Sequence, residues 1–289
     1  MNLFRLKTVS FLTAGILLTS CSFAKKDSTT KKSDISITQV RNATLQIRYS
    51  GKRLLIDPML AKKGSYPGFP GTANSHLRNP LVDLPIPADD VIDVDAIIVT
   101  HLHLDHWDDE AQRLIPKEKP IFVQNQEDEK ALEAQGFKNV TPLTDKVVWE
   151  GITISKTQGT HGTKETVKKF PILGAVSGFV LSHPDEKKIY LAGDTVWNEE
   201  VKKALDLHRP EIIILNAGAA VVVGEPPIIM DQNDVVSVVK HAPYATVIAT
   251  HMEAINHCIL TRKQLREYLE TKKVSSNVKI PMDGENLNL

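Results

Sequence analysis

The chain has 289 residues, of which 42% are hydrophobic and 6% aromatic, enough for one large hydrophobic core or two modest ones. Its 35 Lys and Arg residues equal its 35 Asp and Glu residues in number, so the formal net charge is zero. This balance argues against a dedicated nucleic-acid-binding protein, which would carry a basic surplus.

The first part of the chain has the pattern of an export signal. Arg5 and Lys7 precede a mostly apolar run over residues 9–18, which suits the hydrophobic region of a signal peptide and is short for a membrane-spanning helix. The run ends in Leu18-Thr19-Ser20-Cys21, which resembles the lipobox of bacterial lipoproteins, where the cysteine becomes the lipidated first residue. An ordinary signal peptide with a cysteine nearby is the alternative.

Three segments follow from this interpretation: a signal peptide over residues 1–20, a lipidated Cys21 with a flexible tether over residues 21–34, and one domain over residues 35–289. The tether is polar and has no hydrophobic periodicity. With Cys21 lipidated, Cys258 remains the one other cysteine, so no internal disulfide is expected. We expect an exported protein held on a membrane by lipid, facing the periplasm or lying on the cell surface.

The domain begins with strands. Alternation of apolar and polar residues predicts an antiparallel meander over residues 35–40, 44–49 and 53–56. Residues 61–90 are rich in Pro and Gly, and a stretch of this length indicates a lid, a binding loop or disorder. Residues 96–100 are apolar apart from a terminal threonine, typical of a strand buried on both faces.

Strands and helices then alternate in the second part of the domain. The pattern predicts helices over residues 108–114, 127–135, 198–207, 231–241 and 261–272, and strands over residues 120–124, 146–149, 152–157, 175–181, 188–191, 211–215 and 245–250. Two blocks that each run from strands to mixed strand and helix suit an α/β fold of two packed sheets with helices outside. No internal repeat and no second domain are evident.

The motif His101-Leu102-His103-Leu104-Asp105-His106 follows directly after the buried strand. Residues two apart in extended chain point the same way, so His101, His103 and Asp105 can converge, and His106 opens the next helix. Imidazole and carboxylate are the usual ligands of Zn²⁺ and its first-row neighbours. The motif therefore predicts a metal site, the alternative being a chance cluster on a solvated loop.

Further ligands are expected at the ends of later strands. His161, Asp194 and His251 each follow an apolar strand closely. Polar groups that form ligand sites gather at such strand ends in layered α/β folds.

This series of residues resembles the metallo-β-lactamase superfamily over residues 35–269. The resemblance implies an αββα sandwich, in which two packed sheets carry helices on their outer faces. Asp57, in Leu55-Ile56-Asp57-Pro58, matches the superfamily's first motif. Residues 192–197 and 251–257 resemble the branch that contains ascorbate-6-phosphate lactonase and related metal-dependent hydrolases.

The resemblance also implies the roles of the ligands and the ions that they bind. His101, His103 and His161 would hold one metal ion, Asp105, His106 and His251 would hold a second, and Asp194 would bridge the two. One or two divalent ions are expected, and zinc is favoured. Manganese and iron are the alternatives, because N/O ligand sets admit several metals. Asp105 would orient the nucleophile or move its proton, and Asp57 would hold a ligand histidine in the right tautomer.

Other residues are weaker candidates. His257 could donate to a substrate oxyanion or pack at a helix end. His76 and Arg78 could contact an anionic substrate if residues 61–90 form a lid, or could be solvated. Asn216 could face the site or stabilise a turn. Asp194 stands where some β-lactamases place a cysteine ligand, which argues against a true β-lactamase.

These observations predict a metal-dependent hydrolase that cleaves an ester, lactone or phosphodiester of a small or lipid-like substrate outside the cytoplasm. A mononuclear iron oxidoreductase of the same fold and a phospholipase-type hydrolase acting on membrane lipid are the alternatives, and a non-catalytic metal-binding lipoprotein is a third. No nucleic-acid partner is expected, and the sequence leaves the oligomeric state open.

Overall fold

The computed structural model describes Met1 and residues 35–289. The predicted signal peptide, the predicted lipidation of Cys21 and the predicted tether lie outside the described residues. Within the described part of the chain, no helix combines the length and the apolar character needed to cross a membrane.

Fourteen strands and seven α-helices make up the described part of the chain. The strands are β1 Ser36–Arg41, β2 Thr44–Tyr49, β3 Lys52–Ile56, β4 Ala96–Val99, β5 Ile121–Val123, β6 Val140–Pro142, β7 Lys146–Trp149, β8 Ile152–Gln158, β9 Ser177–His183, β10 Glu186–Leu191, β11 Ile212–Asn216, β12 Thr246–Thr250, β13 Val278–Lys279 and β14 Asn286–Asn288. The helices are α1 Ala88–Ile92, α2 Asp109–Leu114, α3 Gln126–Ala134, α4 Lys164–Lys169, α5 Glu199–His208, α6 Gln232–His241 and α7 Arg262–Thr271.

The strands form two seven-stranded sheets. The first has the order β14-β1-β2-β3-β4-β5-β6 and the second the order β13-β12-β11-β10-β9-β8-β7. In the first, β1, β2 and β3 form the predicted antiparallel meander, and β4 to β6 continue in parallel. In the second, β7 to β10 are antiparallel and β10 to β13 are parallel.

The two sheets pack face to face, with helices on their outer faces. Ile98 of the first sheet and Phe179 and Ile214 of the second belong to one buried cluster between the sheets. A second cluster joins the first sheet to α1, α2 and α3, and a third joins the second sheet to α5, α6 and α7. Alternate residues of a strand point to opposite faces, so each sheet is apolar on both sides. The predicted αββα sandwich is confirmed.

Side-chain caps determine where most helices begin. Asp108 accepts a hydrogen bond from the backbone N–H of Ala111 at the start of α2. Thr261 and Gln264 form the reciprocal capping box at the start of α7, in which each side chain bonds the backbone of the other residue.

This architecture brings the ends of several strands to one edge, where the two sheets meet. Asp57 follows β3, His101 follows β4 and Asp194 follows β10, each within three residues of the strand end. His161 comes three residues after β8, and His251 directly follows β12. The fold thus gathers side chains that are up to almost two hundred residues apart in sequence.

Candidate metal centre

The seven predicted metal ligands lie together at this edge in two groups. In each group, the potential ligand atoms lie within 4.8 Å of one another. The first group contains His101, His103 and His161, and the second contains Asp105, His106, Asp194 and His251. All except His103 are buried. The resemblance implies the same division for six of these residues, whereas it makes Asp194 a bridge between the two metal positions.

Asp194 lies between the two groups. Its Oδ2 is 3.1 Å from Nε2 of His106 in the second group and 3.5 Å from Nε2 of His161 in the first. Its Oδ1 accepts a hydrogen bond of 2.6 Å from the side-chain amide of Asn216. Asn216 therefore positions this carboxylate, and it does not line the cavity described below.

Asp57 holds two of the histidines. Its Oδ2 lies 2.8 Å from Nδ1 of His106 and also accepts the hydroxyl of Thr100 at 2.8 Å. Because that hydroxyl donates to Asp57, it is free to accept from Nδ1 of His101, 3.0 Å away. In the neutral form of each ring, the lone pair of His101 and of His106 therefore lies on Nε2, which faces the centre of the cluster.

Two further histidines are held by backbone carbonyl oxygens. Nδ1 of His161 is 2.9 Å from the carbonyl oxygen of Ile228, and Nε2 of His103 is 3.0 Å from that of Ile172. A carbonyl oxygen only accepts, so each of these nitrogens donates and the other nitrogen of the ring is left with a lone pair. For His103 that nitrogen is Nδ1, which lies 3.0 Å from Nε2 of His101.

His251 is held by a thiol. Its Nδ1 lies 3.3 Å from Sγ of Cys258, and its Nε2 lies 3.4 Å from Oδ2 of Asp105. The backbone of His251 has φ of 59°, in the left-handed region that few non-glycine residues adopt. Such strain at a residue aimed into a cluster is typical of a functional position.

The donor set fits divalent metal ions. Each of the five imidazoles has one ring nitrogen engaged by a hydrogen bond and the other aimed at ligand atoms of its neighbours. That arrangement of fixed tautomers is the one that metal-binding histidines show. Imidazole and carboxylate together suit zinc, manganese and iron, so the donor set does not select among them.

The charges in the two groups differ. Burial lowers the pKa of His101 and His161, which favours the neutral form that a metal ligand needs. Burial also lowers the pKa of His106, but the carboxylates of Asp194, Asp57 and Asp105 outweigh it and raise that pKa to about 10. The second group therefore concentrates negative charge that favours a cation.

A cavity of about 420 Å³ opens beside both groups. Its walls include His103, Asp105 and His161 from the cluster, and also His257. Its other side chains are almost all apolar: Phe69, Pro70, Leu102, Leu104, Phe170, Ile172, Leu173, Val222 and Ile228. No Lys or Arg is found among its described lining residues. Its size and lining are those of a small-molecule site.

The weaker candidates are divided by the structure. His257 lines the cavity and is only 6% exposed. His76 and Arg78 are exposed and do not line it. The guanidinium of Arg78 instead donates to the carbonyl oxygens of Gly64 and Ser65, because the polar backbone of this long loop needs partners.

Three important residues carry no sequence signal of their own. Thr100 connects Asp57 to His101, and Cys258 holds His251. Asn256 bonds the loop that carries Phe69. Thr100 and Asn256 are next to predicted site residues in the sequence, and this position was the one signal that pointed to them. Their hydrogen-bond partners are determined by the tertiary fold.

Known proteins are similar to this chain in sequence and in structure. A family model described as the beta-lactamase superfamily domain matches residues 52–252. The UPF0173 protein YddR of Bacillus subtilis (strain 168) is 47% identical over 252 residues, covering 87% of this chain and 98% of that protein.

Two solved structures are also similar. An isothiocyanate hydrolase from Delia radicum gut bacteria is 46% identical, with a TM-score of 0.85 and coverage of 88% of this chain and 99% of that one. A possible metal-dependent hydrolase from Veillonella parvula DSM 2008 is 42% identical, with a TM-score of 0.87 and coverage of 89% and 100%.

Proposed function

This chain is a metal-dependent hydrolase of the β-lactamase superfamily and of its UPF0173 family, and we propose that it adds water to a small uncharged substrate that carries an apolar group. The observation that carries the proposal is the apolar cavity that opens beside both ligand groups. A substrate bound there has its reacting atom near the metal centre and its remaining atoms against hydrophobic walls.

The lining of the cavity favours some of the predicted bond types over others. A phosphodiester is anionic, and no Lys or Arg among the described lining residues would pair with it. Esters and lactones are uncharged and fit the lining. A volume of about 420 Å³ also suits a small molecule better than the two acyl chains of a phospholipid.

Isothiocyanates are a further uncharged class, proposed because a structure 46% identical to this chain is named an isothiocyanate hydrolase. Addition of water to R–N=C=S forms a bond from the water oxygen to carbon and places one proton on nitrogen and the other on sulfur. The resulting thiocarbamic acid breaks its C–N bond to give an amine and carbonyl sulfide. The apolar walls would receive the R group.

His101, His103 and His161 would hold one divalent ion, and Asp105, His106, Asp194 and His251 a second. Such ions lower the pKa of water toward ~7 and polarise the bond under attack. Burial raises the pKa of Asp105, but His106 and His251 outweigh it and hold that pKa well below its usual range. Asp105 is therefore ionised, lines the cavity, and is placed to orient the attacking water as an acceptor.

The place of action is a separate proposal. The Leu18-Thr19-Ser20-Cys21 pattern supports lipidation at Cys21 and anchoring outside the cytoplasm. Radiolabelled palmitate would be incorporated into the full chain but not into the Cys21→Ser variant. Equal labelling of both would reject lipidation at this residue.

Metal content and turnover should be measured on the same sample. The panel consists of benzyl isothiocyanate, phenyl acetate, a γ-lactone and bis(p-nitrophenyl) phosphate, and the variant is His103→Ala. His241→Ala is the matched control, because His241 pairs with Asp206 on a helix away from the cluster. We expect the wild type to contain zinc or manganese and to hydrolyse uncharged substrates. Metal content and hydrolysis should both decrease in His103→Ala and stay unchanged in His241→Ala.

Other results would reject or change the proposed function. Preference for the phosphodiester would reject an uncharged substrate. Iron without any hydrolysis would favour the oxidoreductase alternative, and absence of any bound metal would reject the metal centre. Hydrolysis of the lactone above the other substrates would favour the lactonase branch, which stays a prediction.

A further inference from the structure

We infer that His257 is a catalytic residue whose Nε2–H donates a hydrogen bond to the electron-rich atom of the substrate while water adds to the neighbouring carbon. The inference rests on the proposed function, since it names the residue that would stabilise the charge developing in that reaction. In an ester or lactone this atom is the carbonyl oxygen, and in an isothiocyanate it is nitrogen or sulfur.

The environment of the ring gives the first argument. His257 is 6% exposed and lines the cavity that Asp105 also lines. Its Nδ1 is fully enclosed and has no hydrogen-bond partner. The nitrogen that can reach the cavity is therefore Nε2.

The enclosed nitrogen also determines the tautomer. A buried N–H without an acceptor is one of the rarest defects in folded proteins, whereas an unpaired acceptor is tolerated more often. A proton on Nδ1 of His257 would create that defect, because nothing accepts from this atom. The proton therefore resides on Nε2, and the ring presents a donor to the cavity.

The other polar side chains of the cavity do not offer a free donor. The hydroxyl of Thr72 donates to the carbonyl oxygen of Phe69 at 2.7 Å. Nε2 of His103 and Nδ1 of His161 are engaged by backbone carbonyl oxygens, and the ionised Asp105 only accepts. Among the described lining residues, His257 is the side chain whose N–H is left for a substrate.

His257 is held both through its backbone and through its ring. The carbonyl oxygen of His257 accepts the backbone N–H of Val221 at 3.0 Å. The ring of Phe69 lies edge-to-face with the imidazole, with centroids 5.0 Å apart and planes at 90°. Asn256, the preceding residue, accepts the backbone N–H of Phe69 and so fixes both aromatic rings relative to each other. A donor held in advance does not have to reorganise during the reaction.

The ring is neutral under physiological conditions. Burial lowers the pKa of His257 to about 4, although the carboxylate of Asp105 acts in the opposite direction. A neutral imidazole donates a hydrogen bond without transferring the proton, so no separate proton source is needed for this role.

Three substitutions test the inference on the metal-loaded protein. Gln carries its amide nitrogen near the position of Nε2, Asn carries it near Nδ1, and Leu has no donor. We expect His257→Leu and His257→Asn to lower kcat about 100-fold, the usual effect of removing one such donor, and His257→Gln to retain much more. Metal content and Tm are measured for each variant, since a merely structural role would change these together with kcat.

A second measurement does not depend on turnover. In ¹⁵N-histidine-labelled protein, long-range proton–nitrogen correlation should show the Nε2–H tautomer of His257 at neutral pH. N-benzylformamide, an uncharged carbonyl compound, should move that proton downfield in the wild type.

The outcomes are separable. The inference would be overturned by an unchanged kcat in His257→Leu, or by a kcat in His257→Asn as high as in His257→Gln. An Nδ1–H tautomer of His257 would overturn it as well. If the wild type hydrolyses none of the probes, the proposed function fails, and the shift of the Nε2 proton then decides the donor role by itself.

Discussion

A single carboxylate, that of Asp57, orients two of the five clustered histidines. Its Oδ2 contacts His106 directly and His101 through the hydroxyl of Thr100. Its Oδ1 accepts the backbone N–H of Thr100 at 2.7 Å, which fixes the carboxylate itself. One buried carboxylate thus links histidines that are assigned to the two different metal positions. A substitution at Thr100 should therefore lower the affinity for metal.

We expect Thr100→Val to weaken zinc binding about 10-fold, in the range found when partners of metal-binding histidines are removed. Valine matches threonine in shape but neither donates to Asp57 nor accepts from His101. Competitive titration against a chromophoric chelator would measure the affinity.

Thr246→Val is the matched control for this change. Thr246 begins β12, at the opposite end of that strand from His251. Unchanged zinc affinity in Thr100→Val, or an equal loss in the control, would contradict the role of the Thr100 hydroxyl.

At this scale, the sequence was informative about ligands and much less so about their partners. Four ligands stand in one short motif after β4, and three follow the ends of other strands, so strand prediction alone places them on one edge. The partners depend on approaches between distant segments, as between Asp57 and Thr100, which are 43 positions apart. The predicted anion contacts of His76 and Arg78 do not reach the cavity, because sequence does not show which way a loop side chain points.

The segment of residues 61–90 is the element whose role the sequence left open. Arg41 is fully buried and connects the start of this segment to a later part of it, because its guanidinium donates to the carbonyl oxygens of Met59, Ala61 and Val82. The centre of the segment is held by Asn256, whose side chain bonds Phe69, Thr72 and other residues of the segment. The segment contributes Phe69 to Thr72 to the cavity wall, so it is an ordered part of the candidate substrate site.

We expect Asn256→Ala to loosen this wall. The substitution removes the side chain that accepts from the backbone N–H of Phe69 and the amide of Asn79 and donates to Thr72 and to the carbonyl oxygen of Ala73. Leaving several buried groups unpaired should cost about 3 kcal/mol of stability, and KM should rise more than kcat falls because the substrate wall is disordered first.

Limited proteolysis would locate the change. Cleavage within residues 66–79 should become faster in Asn256→Ala than in the wild type. Asn277→Ala serves as the control, because its amide bonds the carbonyl oxygen of Pro243 away from the cavity. Equal protection of the segment in Asn256→Ala and wild type would show that other contacts hold the wall.

Elements with strong periodicity were predictable, and several short ones were not. The strands β1, β2, β7 and β12 lie within about one residue of their predicted bounds. The two- and three-residue strands β6, β13 and β14 were missed, as were the short helices α1 and α4. Such elements are too short to show a period, and β14 exists because it pairs with β1 from the other end of the domain.

For the molecule as a whole, the alternation of strands and helices indicated the layers but not the order of the strands. The antiparallel edge strand β7 and the parallel strands β11 and β12 are similar apolar runs in the sequence. Their places depend on which helices cross over between them. The family resemblance supplied the αββα arrangement that the pattern alone did not distinguish from other two-sheet folds.

The stability of the folded chain should depend on pH through His257. The pKa of His257 in the folded chain is about 4, below the ordinary value of 6.5. The stability of the folded chain with a neutral His257 is therefore fully present above pH 6.5. As the pH falls from 6.5 to 4, this imidazole becomes protonated in the unfolded chain but stays neutral in the folded chain. The free energy of unfolding therefore decreases. The loss should reach about 3 kcal/mol.

His257→Gln isolates this contribution, since glutamine does not titrate. Urea unfolding of both proteins at the same metal loading should show the difference in unfolding free energy growing toward acid in favour of the variant. A difference that stays constant between pH 6.5 and 4 would mean that His257 is protonated in the folded protein as readily as in the unfolded one.

Removal of metal should affect the whole molecule, because the ligands come from the ends of both sheets. His101 and His103 follow β4 of the first sheet, whereas His161, the third ligand of the same group, follows β8 of the second. An ion bound by all three would join the two sheets at their common edge and would bind the folded chain better than the unfolded one. At a free zinc concentration 1,000 times the Kd, this linkage is worth about 4 kcal/mol. For a domain of this size, that corresponds to a rise in Tm of about 10 °C.

Calorimetry of the wild type with zinc and with excess EDTA would measure the difference directly. His103→Ala should show a much smaller difference, because it removes one of the three ligands of the first group. His241→Ala should behave as the wild type, since it lies outside both groups. Equal Tm values with zinc and with EDTA in the wild type would show that no ion joins the sheets, and the role assigned to the seven ligands would have to be abandoned.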